Sequence, residues 1–534
     1  MLNRRGFLSS LAAAPFAAGA GERPNIVLIM ADDMGFSDIG CYGGEIRTPH
    51  LDGLAKNGLR FTQFYNGARC CPTRAALMTG LYPHQAGVGH MVNPRSYPAY
   101  AGDLSRNAVT IPDVLKSSGY RTWMAGKWHV TPVNDKRHNW PTQRGFEKFF
   151  GTIHGAGSFY DPATLAEGNE FIKPEGKDFY YTDAIANKAA SYIRSHGKSA
   201  DPFFLYTAFT SPHWPMHALE EDIERYKDRY KGGWDALREE RHARMLKMGV
   251  VDRKWPLTAR DESVPAWKDA PNKEWEARRM AVFAAMIDRM DQGIGRITAA
   301  LRESGKLDNT LILFLADNGG CAETFPVRVT GSNPSIPKTT RDGRPVLAGN
   351  DPSIMPGKAD DYQSYGVGWA NASNTPFRMY KHWVHEGGIS SPLIAHWPRL
   401  IKKTGGFNAE PSHLIDVMAT AADIAGAPYP SEFSGNKITP LEGKSLKPVF
   451  ESGKRSGYSE IYWEHEGNRA VRQGKWKLVL KHGSPWELYD LDADRTELND
   501  LAGKRPDKAG ELKRKWDAWA AKVGAADWDQ VRKT

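Results

Sequence analysis

Three nearly unbroken apolar runs constrain this chain more than anything else in it. They are Asn25-Ile26-Val27-Leu28-Ile29-Met30, Phe203-Phe204-Leu205-Tyr206-Thr207-Ala208-Phe209 and Thr310-Leu311-Ile312-Leu313-Phe314-Leu315. Runs of this kind read as strands buried on both faces, which a parallel sheet with helices on either side provides. Phe61–Tyr65, Arg121–Ala125 and Pro392–Trp397 read as further strands. Helical segments separate them: Leu51–Leu59, Val109–Ser118, Leu219–Met248 and Ser412–Ala425. Met280, Phe283, Ile287, Met290, Ile294 and Ile297 form one apolar helix face at spacings of 3, 4, 3, 4 and 3, the pattern of a helix lying on a sheet. Asp288 and Asp291 fall off that stripe and are expected in solvent. So are the charges of Leu219–Met248, a stretch interrupted at Gly232-Gly233. The fold class is therefore α/β: a large mixed, mostly parallel sheet flanked by helices.

A composition shift near Glu451–Lys454 marks a second unit. Beyond it, Ser459–Trp463, Asn468–Arg472, Trp476–Leu480 and Trp486–Asp490 alternate as a small antiparallel sheet, and an amphipathic helix spans Asp507–Val523. The expected organisation is a main domain at 24–450 and a C-terminal α+β subdomain at 455–534. Between the two late strands of the main domain, residues 326–376 are rich in Gly, Pro, Ser, Asp and Asn and read as a long irregular loop, a kind of segment that is often functional.

The strand ends carry the chemistry. The first run closes on Ala31-Asp32-Asp33 and the third on Ala316-Asp317-Asn318. One such pair is also an ordinary turn. Two of them side by side would offer four oxygen ligands to one hard cation, Ca²⁺ or Mg²⁺. Lys127 and His129 follow the Arg121–Ala125 strand, and His213 follows the Phe203 run between Pro212 and Pro215. Each alone is equally a surface lysine or a packed histidine. In open α/β sheets, however, ligands bind beyond the carboxyl ends of the strands, where all of these residues fall.

Cys70-Cys71-Pro72-Thr73-Arg74 leads into Ala75-Ala76-Leu77-Met78 and on to Thr79-Gly80. Pro72 suits the first helical position and Gly80 a left-handed helix end. That puts Cys70 just ahead of a helix N-terminus, where free N–H groups favour an anion or thiolate, with Arg74 able to point back at it. A buried inert cysteine fits the same residues. The four cysteines, Cys41, Cys70, Cys71 and Cys321, have neither zinc spacing nor a disulfide framework, and no disulfide is expected at Cys70.

Composition excludes more than it assigns. The formal charge is +9 and the 534 residues contain no long Lys/Arg block, so nothing argues for a nucleic-acid partner. Residues 1–20 run from Arg4-Arg5-Gly6-Phe7-Leu8 through an apolar stretch to Ala18-Gly19-Ala20. This is the anatomy of an export signal, with paired arginines of the twin-arginine kind, and it implies a periplasmic or extracellular protein. No later segment approaches the ~20 apolar residues of a membrane span.

Cys-X-Pro-Thr-Arg followed by Thr-Gly resembles the signature of the type I sulfatases, and the other elements follow in that family's order over nearly the whole mature chain. His84–Met91, Tyr226–Gly249 and Met286–Ile294 are similar to its bacterial arylsulfatase branch. The resemblance implies an alkaline-phosphatase-like sheet and conversion of Cys70 to Cα-formylglycine (3-oxoalanine) by a formylglycine-generating maturation enzyme. It implies Ca²⁺ bound by Asp32, Asp33, Asp317 and Asn318 together with residue 70. It further implies Arg74 holding the formylglycine hydrate and the metal site, and Lys127 and Lys381 on the sulfate oxygens. His213 would serve the leaving oxygen with Lys381, and His129 would take a proton from the hydrate. One departure stands out: Ile389-Ser390-Ser391 follows Glu386-Gly387-Gly388, where the family often has an arginine. The implied activity is hydrolysis of aryl or other small sulfate monoesters, with sulfated carbohydrate as a further substrate class. A phosphonate or phosphate ester hydrolase and a non-catalytic sulfated-glycan binder are the competing readings.

Overall fold

The computed structural model describes residues 23–134, 136–330 and 335–534; the expected export signal lies outside them. The main sheet is assembled from β1 (Asn25–Ala31), β2 (Leu59–Tyr65), β3 (Arg121–Gly126), β4 (Lys148–Thr152), the short β5 (Leu165–Glu167) and β6 (Glu170–Phe171), β7 (Phe203–Ala208) and β8 (Thr310–Ala316). A two-residue pair, β9 (Leu347–Ala348) and β10 (Asp361–Tyr362), stands apart from it, and β11 (Ser390–His396), β12 (Phe407–Asn408) and β13 (Ser412–His413) complete it. The spatial order is β12-β2-β11-β8-β1-β7-β3-β4-β5-β6, with β13 also on β2. The central strands β8, β1, β7, β3 and β4 are all parallel, and β11 runs antiparallel to β8 and β2.

Register decides where the functional residues fall. Ala31 pairs with Ala316, and Met30 and Gly126 both pair with Ala208. The strands therefore end level, and the residues after them emerge along one edge. Gly126 is required there: at φ +117 its backbone lies so near β7 that a Cβ would sit 1.9 Å from the Ala208 carbonyl oxygen.

Both faces of β1 are covered, as its unbroken hydrophobicity demands. Val27 and Ile29 pack with the stripe of the long helix Lys273–Glu303, while Ile26, Leu28 and Met30 pack with Ala76, Leu77 and Val114. The C-terminal sheet, Ile461–His465, Asn468–Gln473, Trp476–Leu480 and Trp486–Asp490, is antiparallel. Trp463, Ala470 and Tyr489 join a cluster with Tyr65 and Ala68, so this sheet seats against the loop that leads to Cys70. Trp463 Nε1 donates to the Asn66 carbonyl at 2.9 Å.

Several sequence expectations need correction. Asp288 and Asp291 are buried. Asp291 accepts the backbone N–H groups of His50 (3.0 Å) and Leu51 (2.8 Å), capping α1 (Pro49–Lys56) from another helix, because helix Lys273–Glu303 is enclosed on more than its apolar stripe. Leu219–Met248 is not one solvated helix. It divides into Glu220–Ile223, a 3₁₀ turn and Gly233–Met248. Arg241 within it is fully buried, on Asp38 (2.6 Å) and Glu45 (2.8 Å). Residues 326–376 include a helix, Gly366–Ser373. The cysteine helix α2 (Cys70–Thr79) starts at Cys70 itself, two residues before Pro72, and ends on Gly80 at φ +68.

Candidate active site

All ten residues singled out above converge on the level strand ends, and each is buried. Asp32 and Asp33 leave β1 and Asp317 and Asn318 leave β8. The Asp33 N–H donates to Asp317 Oδ1 at 3.0 Å, and Asn318 Nδ2 donates to Asp33 Oδ1 at 2.7 Å. Arg74, one turn into α2, donates to Asp317 Oδ2 at 2.8 Å and to the Lys127 carbonyl at 3.1 Å, and lies 3.5 Å from Asp32 Oδ1. Lys127 Nζ reaches Asp32 Oδ2 at 2.7 Å and Lys381 Nζ reaches Asp33 Oδ2 at 3.0 Å. Thr73, in the first turn of α2, donates to the Asp317 carbonyl at 2.7 Å, which ties α2 to the end of β8.

Cys70 is free, as are the other three cysteines. Its sulfur, that of Cys71 and a ring nitrogen of His129 lie within 4.8 Å of one another. A hydrogen bond from Cys71, with Lys127 and His129 nearby, holds the Cys70 thiol well below the usual cysteine range against the effect of burial. Burial and the neighbouring Cys70 push Cys71 the other way. His129 sits at φ +56, and its ring packs so closely on Gly155 that a Cβ there would lie 2.0 Å away.

The histidines are kept neutral. Burial takes His129 down to about 3, despite the pull of Cys70, and His213 down to about 4, despite the pull of Asp33. His213 Nδ1 lies 2.6 Å from the Trp214 carbonyl. That acceptor assigns the proton to Nδ1, leaving bare Nε2 facing Lys381 Nζ at 3.4 Å. Lys381 stays charged: burial opposes this, and Asp33 foremost overrides it.

The carboxylates fit a cation. Burial foremost raises both Asp32 and Asp317 above the ordinary range even beside Lys127 and Arg74, with Asp33 adding to both and Asp32 to Asp317. Asp32 Oδ1 and Asn318 Oδ1 are buried acceptors that receive no hydrogen bond. Unpaired buried acceptors beside crowded carboxylates are what a hard divalent ion neutralises.

Sequence reasoning missed a second set of residues. Glu323 accepts from Trp214 Nε1 at 2.7 Å, lies 2.9 Å from His382 Nε2 and stands 3.5 Å from both Lys381 Nζ and Arg69 Nη2. Glu466, in the first turn of the C-terminal sheet, lies 2.7 Å from Arg69 and from His382. The available signals were adjacency, since Glu323 follows the Asp317-Asn318 turn and His382 follows Lys381, and turn chemistry at Glu466-Gly467-Asn468. A cavity of 330 Å³ opens beside Lys381, lined by Glu323, His382, Trp383, Glu466, His482 and Trp528 among others. A larger concavity, 1180 Å³ beside Tyr160 and Arg278, contains none of the ten residues.

Residues 24–427 match the family described as Sulfatase. The chain belongs to the sulfatase family. Residues 377–517 also match the family described as N-sulphoglucosamine sulphohydrolase, C-terminal. This sulfatase is 33% identical to an uncharacterised sulfatase of Schizosaccharomyces pombe, over 94% of each chain. It is 32% identical to an arylsulfatase of Klebsiella aerogenes, over 85% of this chain and 98% of that one. Its fold is that of BT4656, solved in complex with its substrate D-glucosamine-2-N,6-O-disulfate: TM-score 0.63, 21% identity, 95% and 99% coverage. The sulfatase is a sulfuric ester hydrolase. At the Glu386-Gly387-Gly388 turn, Arg495 reaches in from the C-terminal unit and donates to Glu386 Oε2 at 3.0 Å and Ser390 Oγ at 2.7 Å.

Proposed function

We propose that this sulfatase hydrolyses sulfate monoesters, aryl or other small esters first and sulfated carbohydrates second, at the cluster centred on Cys70. The family uses a formylglycine and a metal ion. Here Cys70, converted by a maturation enzyme, would supply an aldehyde hydrate as nucleophile, and Asp32, Asp33, Asp317, Asn318 and residue 70 would hold Ca²⁺, which would polarise the sulfate group. The observation that carries this reading is the meeting of two unpaired acceptors, Asp32 Oδ1 and Asn318 Oδ1, with two buried lysines around the first turn of α2.

The chain's own groups then divide the work. Lys127 and Lys381 bind sulfate oxygens and stabilise the charge that grows there in the transition state. Arg74 locks Asp32 and Asp317 together and so fixes the geometry beneath residue 70. Neutral His129, beside residue 70, accepts a proton from its hydroxyl when sulfate is expelled. Lys381 and His213 face each other across 3.4 Å and pass a proton to the leaving oxygen. Residues 1–20 serve as the export signal, and the mature protein works in the periplasm or outside the cell. Among the described residues no helix is long and apolar enough to cross a membrane.

The test is a release assay on converted protein with matched aryl sulfate, aryl phosphonate and sulfated-sugar substrates. Sulfate release that exceeds phosphonate turnover is expected. Phosphonate turnover in excess would move the assignment to that ester class, and binding of sulfated sugars with no turnover of any ester would make the protein a binder.

A further inference from the structure

A second group of ligating side chains gathers outside the ten residues of the active site. His90 comes from the segment after α2, and His465 and Glu466 come from the first turn of the C-terminal sheet. One ligating atom from each lies within 4.8 Å of the other two. His90 Nε2 is 2.9 Å and His465 Nε2 3.7 Å from the same oxygen, Glu466 Oε1. The two rings stack at 18° with centroids 5.5 Å apart. Donors around a tetrahedral zinc ion lie about 3.3 Å from one another, within the spread of these two distances.

His465 makes the second, independent argument. It is fully buried, and neither of its ring nitrogens has a hydrogen-bond partner. His90 Nδ1 is unpartnered as well. Buried polar atoms in folded proteins are nearly always satisfied, and an imidazole with both nitrogens idle gives up two bonds that it would make in water. A neutral ring with a free lone pair is the form that binds a metal.

We propose that His90, His465 and Glu466 bind a Zn²⁺ ion. Two imidazoles and one carboxylate are a zinc donor set that leaves a fourth position for water. Glu466 borders the 330 Å³ cavity, so the ion has a route from solvent. Glu466 also bonds Arg69 and His382, and Glu323 supplies a second carboxylate that offsets Arg69. The ion pins the C-terminal turn to the segment after α2 and steadies His382, the neighbour of Lys381. The site stands whether or not Cys70 acts as proposed.

The experiment is equilibrium dialysis of the full-length Ca²⁺-loaded protein against Zn²⁺, with metal content read by mass spectrometry, and a parallel titration with Co²⁺. The wild type is expected to take up one Zn²⁺ per chain and to show the intense visible bands of low-coordinate Co²⁺. His90→Ala and His465→Gln should retain Ca²⁺ but lose Zn²⁺ affinity by more than the ~10- to 100-fold typical of an outer-shell change. His90→Ala guards against a folding defect, since His90 is the less deeply buried of the two histidines. Absence of Zn²⁺ in the wild type, or equal uptake by wild type and both variants, overturns the site and leaves an Arg69–Glu466–His90 ion-pair network.

Discussion

Glu323 offers the sharpest test of how the active site is held. Its carboxylate accepts from Trp214 Nε1 and lies within bonding distance of His382, with Lys381 and Arg69 at 3.5 Å. Burial works against its charge, but Lys381, His382 and Arg69 hold it far below the usual carboxylate range. Glu323→Gln keeps the shape and an acceptor for Trp214 but removes the charge and turns an N–H toward His382. Trp214, whose carbonyl fixes the His213 tautomer, keeps its partner, whereas Lys381 loses a second counter-charge and His382 its acceptor. A hydrogen bond to a charged group is worth about 1.5–3 kcal/mol net. Expressed in the transition state, that is roughly a 10- to 100-fold loss of kcat/KM. Glu323 is also among the charges that raise Lys381, so the alkaline limb of the pH profile should move to lower pH. The assay is steady-state hydrolysis of an aryl sulfate across pH, with thermal unfolding to confirm folding. A folded Glu323→Gln protein with kcat/KM within about twofold of wild type and an unmoved alkaline limb would refute the positioning role.

Chelation of the cation should abolish turnover and lower the melting temperature, because Asp32, Asp33 and Asp317 are then left crowded and buried; Asp317→Asn should weaken Ca²⁺ binding measured by calorimetry. His413 gives a pH test remote from catalysis. It is buried, and burial alone brings its pKa down to about 3. The unfolded chain takes up this proton near pH 6.5, its ordinary value, and the folded chain only near pH 3, so folding stability falls as pH drops through that window. The slope from this one residue is about 1.4 kcal/mol per pH unit. His413→Asn should flatten the urea-unfolding profile between pH 6 and 4 by roughly that slope, and an unchanged profile would count against it.

Much of the fold was legible because hydrophobicity reports burial directly. The apolar runs at Asn25, Phe203 and Thr310 became adjacent parallel strands, and the Met280–Ile297 stripe became core. Part of the candidate site was legible for a related reason: Asp32, Asp33, Asp317 and Asn318 follow two of those strands immediately, whereas Cys70, Arg74 and Lys381 follow none of them and needed the cysteine motif and the resemblance. Charge placement was not legible. Asp291 is buried because it caps a helix some 240 residues earlier, and Arg241 because Asp38 and Glu45 meet it from the far end of the chain. Local pattern cannot report partners that distant. Glu323, Arg69 and Glu466 were missed likewise, since their common feature is a meeting point and not a motif. Pro72 misled by one half-turn: proline is accepted anywhere in the first turn of a helix, and α2 starts at Cys70.

The central claim is that Cys70 is the precursor of the nucleophile. The most direct measurement is mass spectrometry of the Cys70 peptide, paired with sulfate release by the same preparation and by Cys70→Ala protein. The account predicts an aldehyde at residue 70, activity in proportion to the converted fraction, and none in Cys70→Ala. Full activity in Cys70→Ala, or in protein whose residue 70 is wholly thiol, would contradict it.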